Sequence, residues 1–281
     1  MLDQTPPATG AGATTQRICG WCGPAVVVTC AVGLAAFARF VPPPSASLSA
    51  ADLASLFRGG STAIRIGLML VVFGAALFGP FVAVISAQMK RIEGARSPLA
   101  YAQLVLGACF IMEIIFPLMA VQTAAYRPER ADPIQQALND FGWLTFFGVA
   151  STAFVEMVII GVVILQDSRP LPVFPRWSGY FNIWVGLLYT PGTVVVFFRS
   201  GPLAWTGLFV FWLPFAAFFA WLITMAYLLL KAVNHEVAET AAESREADDA
   251  QAQLTAQLAR VTAQLEALDS RMTRAEQHRV G

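Results

Sequence analysis

IGLMLVVFGAALFGPFVAVISAQM, residues Ile66–Met89, runs 24 positions without a charged side chain between Arg65 and Lys90. At about 1.5 Å per residue a helix of that length reaches roughly 36 Å, enough for a hydrocarbon core of about 30 Å. Working outward, five more stretches of the same kind appear: Trp21–Val41, Leu99–Val121, Phe141–Leu165, Tyr180–Phe198 and Trp205–Leu230. Six such runs decide the fold class. The expectation is an all-α integral membrane protein, a six-transmembrane-helix bundle with a C-terminal cytoplasmic amphipathic or coiled-coil helix.

Composition agrees. Apolar residues make up 57% of the 281 and charged residues 13%, with mean hydropathy +0.61. An ordinary soluble domain carries about 25% charge, so a chain with half of that, gathered in short connections and a tail, is poorly suited to water. The formal net charge is zero, which leaves no electrostatic footprint for nucleic acid. The expected partner is the lipid bilayer. Basic residues are almost all Arg and Ala is abundant, a bias typical of GC-rich bacterial genomes.

The chain divides into three parts: residues 1–20, a disordered lead with Pro6 and Pro7; residues 21–231, the transmembrane domain; and residues 232–281, a polar helical tail. Pro42, Pro43 and Pro44 stop the first span, and Leu48–Phe57 has the pattern of a short interfacial helix. Lys90, Arg91 and Arg96 crowd the connection after the second span, Arg169 and Arg176 lie after the fourth, and Lys231 follows the sixth. By the positive-inside rule these connections face the cytoplasm, against Arg58, Arg65, Arg127, Arg130 and Arg199 on the other side. The expected placement is multi-pass in the plasma membrane with both termini cytoplasmic. Trp143, Trp177, Tyr180 and Trp205 are expected to anchor span ends at the interface.

In the tail Leu254, Leu258, Val261, Leu265, Leu268 and Met272 recur at spacing 4-3-4-3-4, a heptad seam. Thr255-Ala-Gln-Leu258 returns one heptad later as Thr262-Ala-Gln-Leu265. Over residues 250–275 this predicts self-association or the docking of a cytoplasmic protein; a solitary amphipathic helix is the plainer reading.

Two acids stand inside spans, Glu113 and Glu156. A charge at mid-bilayer costs about 2.5–3.5 kcal/mol even on the gentlest insertion scale. Consecutive spans tend to be neighbours, so the two carboxyls are expected to line one polar path. Thr152, a turn before Glu156, stands within reach as a hydrogen-bond partner, and Asn182 joins the candidate path. Such a path suits a proton relay or the binding of a cation or amine-bearing substrate. The competing reading is a pair of neutral acids that tie helices together, and Gln103, Gln122, Asn182 and Tyr189 taken singly read as packing glue.

Gly79-Pro80 and Pro191-Gly192 break spans two and five, while Pro117 and Pro214 sit in spans three and six. Matching interruptions in two triplets of opposite orientation would mark hinges and a transporter's binding site, although no side-chain similarity relates the triplets. Cys19-Gly20-Trp21-Cys22 forms a C-x-x-C with Ala25 where a thioredoxin-type motif needs its second sulfur, and no second pair follows for zinc. His235 and His278 are the only histidines and both lie in the tail, so a bis-His haem has no ligands in the bundle. No Walker loop, G-x-S-x-G or H-E-x-x-H is present. No metal or other cofactor and no catalytic residue is expected. The functional expectation is a small transporter or transport-associated protein using Glu113 and Glu156; the alternative is a non-catalytic scaffold assembled through the tail.

Overall fold

A computed structural model describes the chain from residue 10 to 280, with side chains from residue 11 to 266. Every regular element among the described residues is helical. Gly12–Val233 form one compact unit. In chain order its helices are α1 (Gly10–Cys30, continued as a π-helix over Ala31–Ala38), α2 (Ala50–Ala75), α3 (Phe78–Glu93), α4 (Pro98–Tyr126), α5 (Asp132–Gly148), α6 (Ser151–Gln166), α7 (Arg176–Tyr189, continued as a 3-10 helix over Thr190–Phe197) and the start of α8 (Leu213–Val280, preceded by a π-turn over Leu208–Trp212). Merged across their breaks, six helices are long and apolar enough to cross a membrane.

Helix α1 begins about ten residues before the expected span, so Gly10–Gly20 are helical rather than an irregular lead. Cys19 and Cys22 are free thiols on that helix, and Cys22 Sγ lies 3.5 Å from the Ile18 carbonyl one turn back. The expected interfacial helix Leu48–Phe57 is not separate. Ser49 caps α2, its hydroxyl oxygen accepting from the Asp52 N–H at 3.2 Å, and the helix runs on unbroken to Ala75. Once capped, the polar Arg58-Gly-Gly-Ser-Thr stretch gives the helix no proline at which to stop.

The second span does break, but one turn before Gly79-Pro80. Pro80 has no N–H for the Ala76 carbonyl, and its ring crowds that carbonyl. Helix α2 therefore ends at Ala75, with tight three-residue bonds from Leu77 N–H to Gly74 (2.9 Å) and from Gly79 N–H to Ala76 (3.2 Å). Pro117, by contrast, is carried inside a continuous α4.

Close helix crossings use glycine. A Cβ on Gly161 of α6 would stand 2.7 Å from the Gly179 carbonyl of α7, and one on Gly67 of α2 would stand 2.3 Å from the Gly33 carbonyl. Small residues at such crossings let apolar helices approach without a hydrophobic driving force between them. The outward faces stay apolar: Phe73, Phe116, Trp184, Phe197 and Tyr227 are all exposed by 62% or more. Rings distributed over all sides of a bundle are consistent with lipid contact. Of the four expected interfacial anchors, Trp177 and Tyr180 are exposed, whereas Trp143 and Trp205 are buried. Their indole N–H groups bond inward, Trp143 to Asn139 Oδ1 at 3.0 Å and Trp205 to the Pro44 carbonyl at 2.8 Å, which is where a buried Trp must turn its one donor.

Asn234 onward falls in the second unit and is helical to Val280. Leu254, Leu258, Val261 and Leu265 are exposed by 52–61%, on the polar C-terminal half of α8. Leu268 and Met272 of the same seam lie outside the residues whose side chains are described.

Candidate functional site: an aromatic chamber with two acids

Helix α4 places Phe110, Glu113 and Ile114 along one wall of a cavity of about 100 Å³ inside the bundle. A single water needs only about 10–15 Å³ by that measure, so the space suits several waters or part of a small organic molecule. Its lining is apolar, a mixture of aromatic and aliphatic side chains. Trp143, Phe146 and Phe147 come from α5, and Phe211, Phe215, Phe218 and Phe219 from the π-turn and α8. The rings pack on one another: Phe215 and Phe219 edge to face at 4.6 Å, Phe211 and Phe215 stacked at 4.9 Å, and Trp143 and Phe147 stacked at 6.0 Å. Each ring carries a negative face and a positive edge. Glu113 and Tyr189 carry the polar side chains of the lining.

Helices break around the chamber. Helix α5 ends at Gly148 and α6 begins at Ser151, and Val149 and Ala150 between them line the cavity. Pro191, without an N–H for the Leu187 carbonyl, turns the end of α7 into a 3-10 helix. The Thr190 hydroxyl donates to that carbonyl at 2.8 Å instead. Gly192 then packs so closely that a Cβ there would stand 2.3 Å from the Phe147 carbonyl. On α4, Pro117 has no N–H to offer the Glu113 carbonyl four residues back.

Glu113 is half-buried, and one of its carboxyl oxygens accepts a short hydrogen bond from the Thr152 hydroxyl. Thr152 stands in the first turn of α6, directly after the break. The other carboxyl, Glu156, is wholly buried a turn further along α6. Gln103 Nε2 of α4 donates to Glu156 Oε1 at 3.0 Å, and a Cβ on Gly107 would sit 3.0 Å from that same oxygen, so the glycine makes room for the acid. With Glu156 level with Gly107, the two acids stand six residues apart along α4, roughly 9 Å. They share one helix pair, as expected, but not one cavity: Glu113 lines the chamber and Glu156 lies behind its wall. Tyr189, a partly buried residue of the chamber lining, has no partner for its buried hydroxyl.

Asn182 belongs elsewhere. It is buried against α8, accepting from Trp221 Nε1 at 2.8 Å and donating to the Ser178 carbonyl at 2.7 Å. That environment ties helices and offers no opening, so Asn182 is removed from the polar path. Gly79 and Pro80 likewise stay away from the chamber, while Gly192 lines it. The residues missed from sequence are the aromatic walls and the break at Gly148–Ala150. Phe recurs 21 times along the chain, which hides the few that converge, and the break carries no proline. No three His, Cys, Asp or Glu residues gather as a metal site among the described residues. No protein-family model matches the chain, and neither a curated protein nor a solved structure matches it.

Proposed function

We propose that this protein is a small multi-pass membrane transporter or transport-associated protein whose chamber binds a lipophilic cation or amine. The supporting observation is a carboxyl, Glu113, set in a cavity whose other walls are mainly aromatic rings and aliphatic side chains. A cation over aromatic faces gains about 0.5–2 kcal/mol per good contact, most where water is excluded, and a carboxylate adds charge attraction where the dielectric is low. Thr152 holds one Glu113 oxygen and leaves the other for the ligand. In this reading the six helices lie in the plasma membrane and both termini face the cytoplasm. Gly192 and the 148–150 break provide the places where the wall moves.

The test is equilibrium dialysis of tetraphenylphosphonium against the purified protein in detergent. Binding should saturate, weaken at least tenfold in Glu113→Gln, and weaken in Phe215→Ala with the fold retained. Equal binding by wild type and Glu113→Gln overturns the reading.

A second reading has its own observation: the four described seam residues of the tail are exposed and apolar. A scaffold that assembles through residues 250–275 would use them, and changing Leu258 and Leu265 to Asn would then reduce oligomer size without affecting the chamber.

A further inference from the structure

Glu156 and Gln103 present an unusual pattern of satisfied and unsatisfied atoms. Gln103 Nε2 donates to Glu156 Oε1, while the remaining oxygen of each side chain, Glu156 Oε2 and Gln103 Oε1, is buried without a partner. Both side chains are completely enclosed. An amide and an ionised carboxylate joined by one N–H bond leave two buried acceptors and no donor for either, which is costly. An amide and a carboxylic acid avoid that cost. The acid's O–H can donate to the amide oxygen while the amide N–H donates to the acid carbonyl, a two-bond ring that forms once rotation brings Glu156 Oε2 to Gln103 Oε1.

The groups around the pair fit this. Helix α4 brings Glu113, whose charge reaches Glu156, and α7 brings the Tyr189 hydroxyl, also within electrostatic reach. Helix α3 approaches with Val82 against Gly107 and carries its charges, Lys90, Arg91 and Glu93, eight or more residues further on. The 3-10 segment Thr190–Phe197 has no ionisable residue. No cation from any of these elements stands where it would hold Glu156 ionised. A hard metal cation is no better served, since calcium takes about six to eight oxygens and the pair and Tyr189 together leave only three buried oxygens without a partner.

We infer that Glu156 and Gln103 form an internal proton-binding site, an acid–amide pair that holds a proton at neutral pH. Neither Gln103 nor Glu156 lines the chamber. Losing the proton would set the two oxygens against each other and drive the Gln103 carbonyl away from Glu156. Protonation of this pair is therefore coupled to the α4–α6 contact that also carries the Glu113–Thr152 bond.

Infrared spectra of the full chain in liposomes at neutral pH test this. The wild type should show a carbonyl band of a protonated carboxyl that shifts in D2O. The band should vanish in Glu156→Gln, which keeps an amide–amide ring and so the fold, and persist in Glu113→Gln. Gln103→Leu, which removes the N–H donor, should move the same band to higher frequency and covers the case in which Glu156→Gln does not fold. Exchange of sodium for potassium should leave it unchanged. No such band in the wild type, its retention in Glu156→Gln, its indifference to Gln103→Leu, or its loss on adding sodium overturns the inference.

Discussion

Gly192→Ala should open the chamber wall, and the structure fixes how far. The added Cβ would stand 2.3 Å from the Phe147 carbonyl oxygen, where ordinary contact begins near 3.4 Å, and 3.3 Å from the Ala150 methyl. The obstructing atom is backbone, so no side chain can rotate away. The 3-10 segment and the α5–α6 joint must separate by about 1.1 Å, the difference between those two distances. Overpacking of this kind costs about 1–3 kcal/mol, which lowers the folded-to-unfolded ratio by roughly 5- to 150-fold. The displaced joint is immediately followed by Thr152, so the Glu113 hydrogen bond is loosened as well. Gly59→Ala is the matched control: nothing lies within 4 Å of its Cβ position, and replacing a helical glycine there should stabilise by about 0.5–1 kcal/mol. Reversible unfolding of both variants in mixed dodecylmaltoside–dodecyl sulfate micelles, followed by circular dichroism, gives the comparison. If Gly192→Ala matches the wild type in stability and in tetraphenylphosphonium binding, the close approach at this joint has no energetic meaning.

Thr152→Val keeps the volume but removes the hydroxyl from Glu113; it should alter cation affinity several-fold while leaving the helix content unchanged, as dialysis and circular dichroism will show. Asn182→Ala strands the buried Trp221 indole N–H, costing about 1–3 kcal/mol for the orphaned donor, and Asn182→Ala combined with Trp221→Phe should lose less than the two changes added together in the same unfolding assay. Asp167, just beyond α6, is held below the usual carboxylate range: burial pushes it up, but both Arg169 nitrogens at 2.9 Å and the Val173 and Arg169 backbone N–H groups outweigh burial. A folded-state value below the unfolded one contributes stability in full above about pH 4, lost as pH falls further, so Asp167→Asn should flatten the acid limb of the stability–pH curve.

The six long apolar helices were legible because absence of charge over a length that could cross a membrane is a one-dimensional signal, and Ile66–Met89 carries it without help from neighbours. Glu113 and Glu156 were legible for the same reason, as exceptions to it. What surrounds them was not. Gln103 read as packing glue because nothing in sequence says that its amide meets Glu156 from across a helix pair. Asn182 looked equally polar and equally deep, yet its partner is an indole on α8. The hinge at Gly79-Pro80 moved upstream because proline disturbs the carbonyl four residues before it, not its own position. Trp143 and Trp205 show the limit of the anchor rule: an aromatic near a span end is anchored by lipid only if the fold leaves it outside.

Among the described residues, four of five departures from the α-helix within the bundle meet the chamber through residues that line it: Leu34 in the π-helix Ala31–Ala38, Val149 and Ala150 at the α5–α6 joint, Tyr189 and Gly192 at the start of the 3-10 segment, and Val210 and Phe211 in the π-turn. The fifth, at Ala76–Leu77, does not. Irregular backbone at membrane depth is tolerated only where protein or a cavity covers it. An aromatic cavity alone needs no such breaks, since straight helices with large side chains enclose space well. The cost of interrupting helices in just these places is explained if the wall has to yield. Thr152 supplies the link, because it begins the helix after one break and holds the chamber's carboxyl. Any movement of that joint changes the hydrogen bonding of Glu113, and any ligand that takes Glu113 away from Thr152 pulls on the joint.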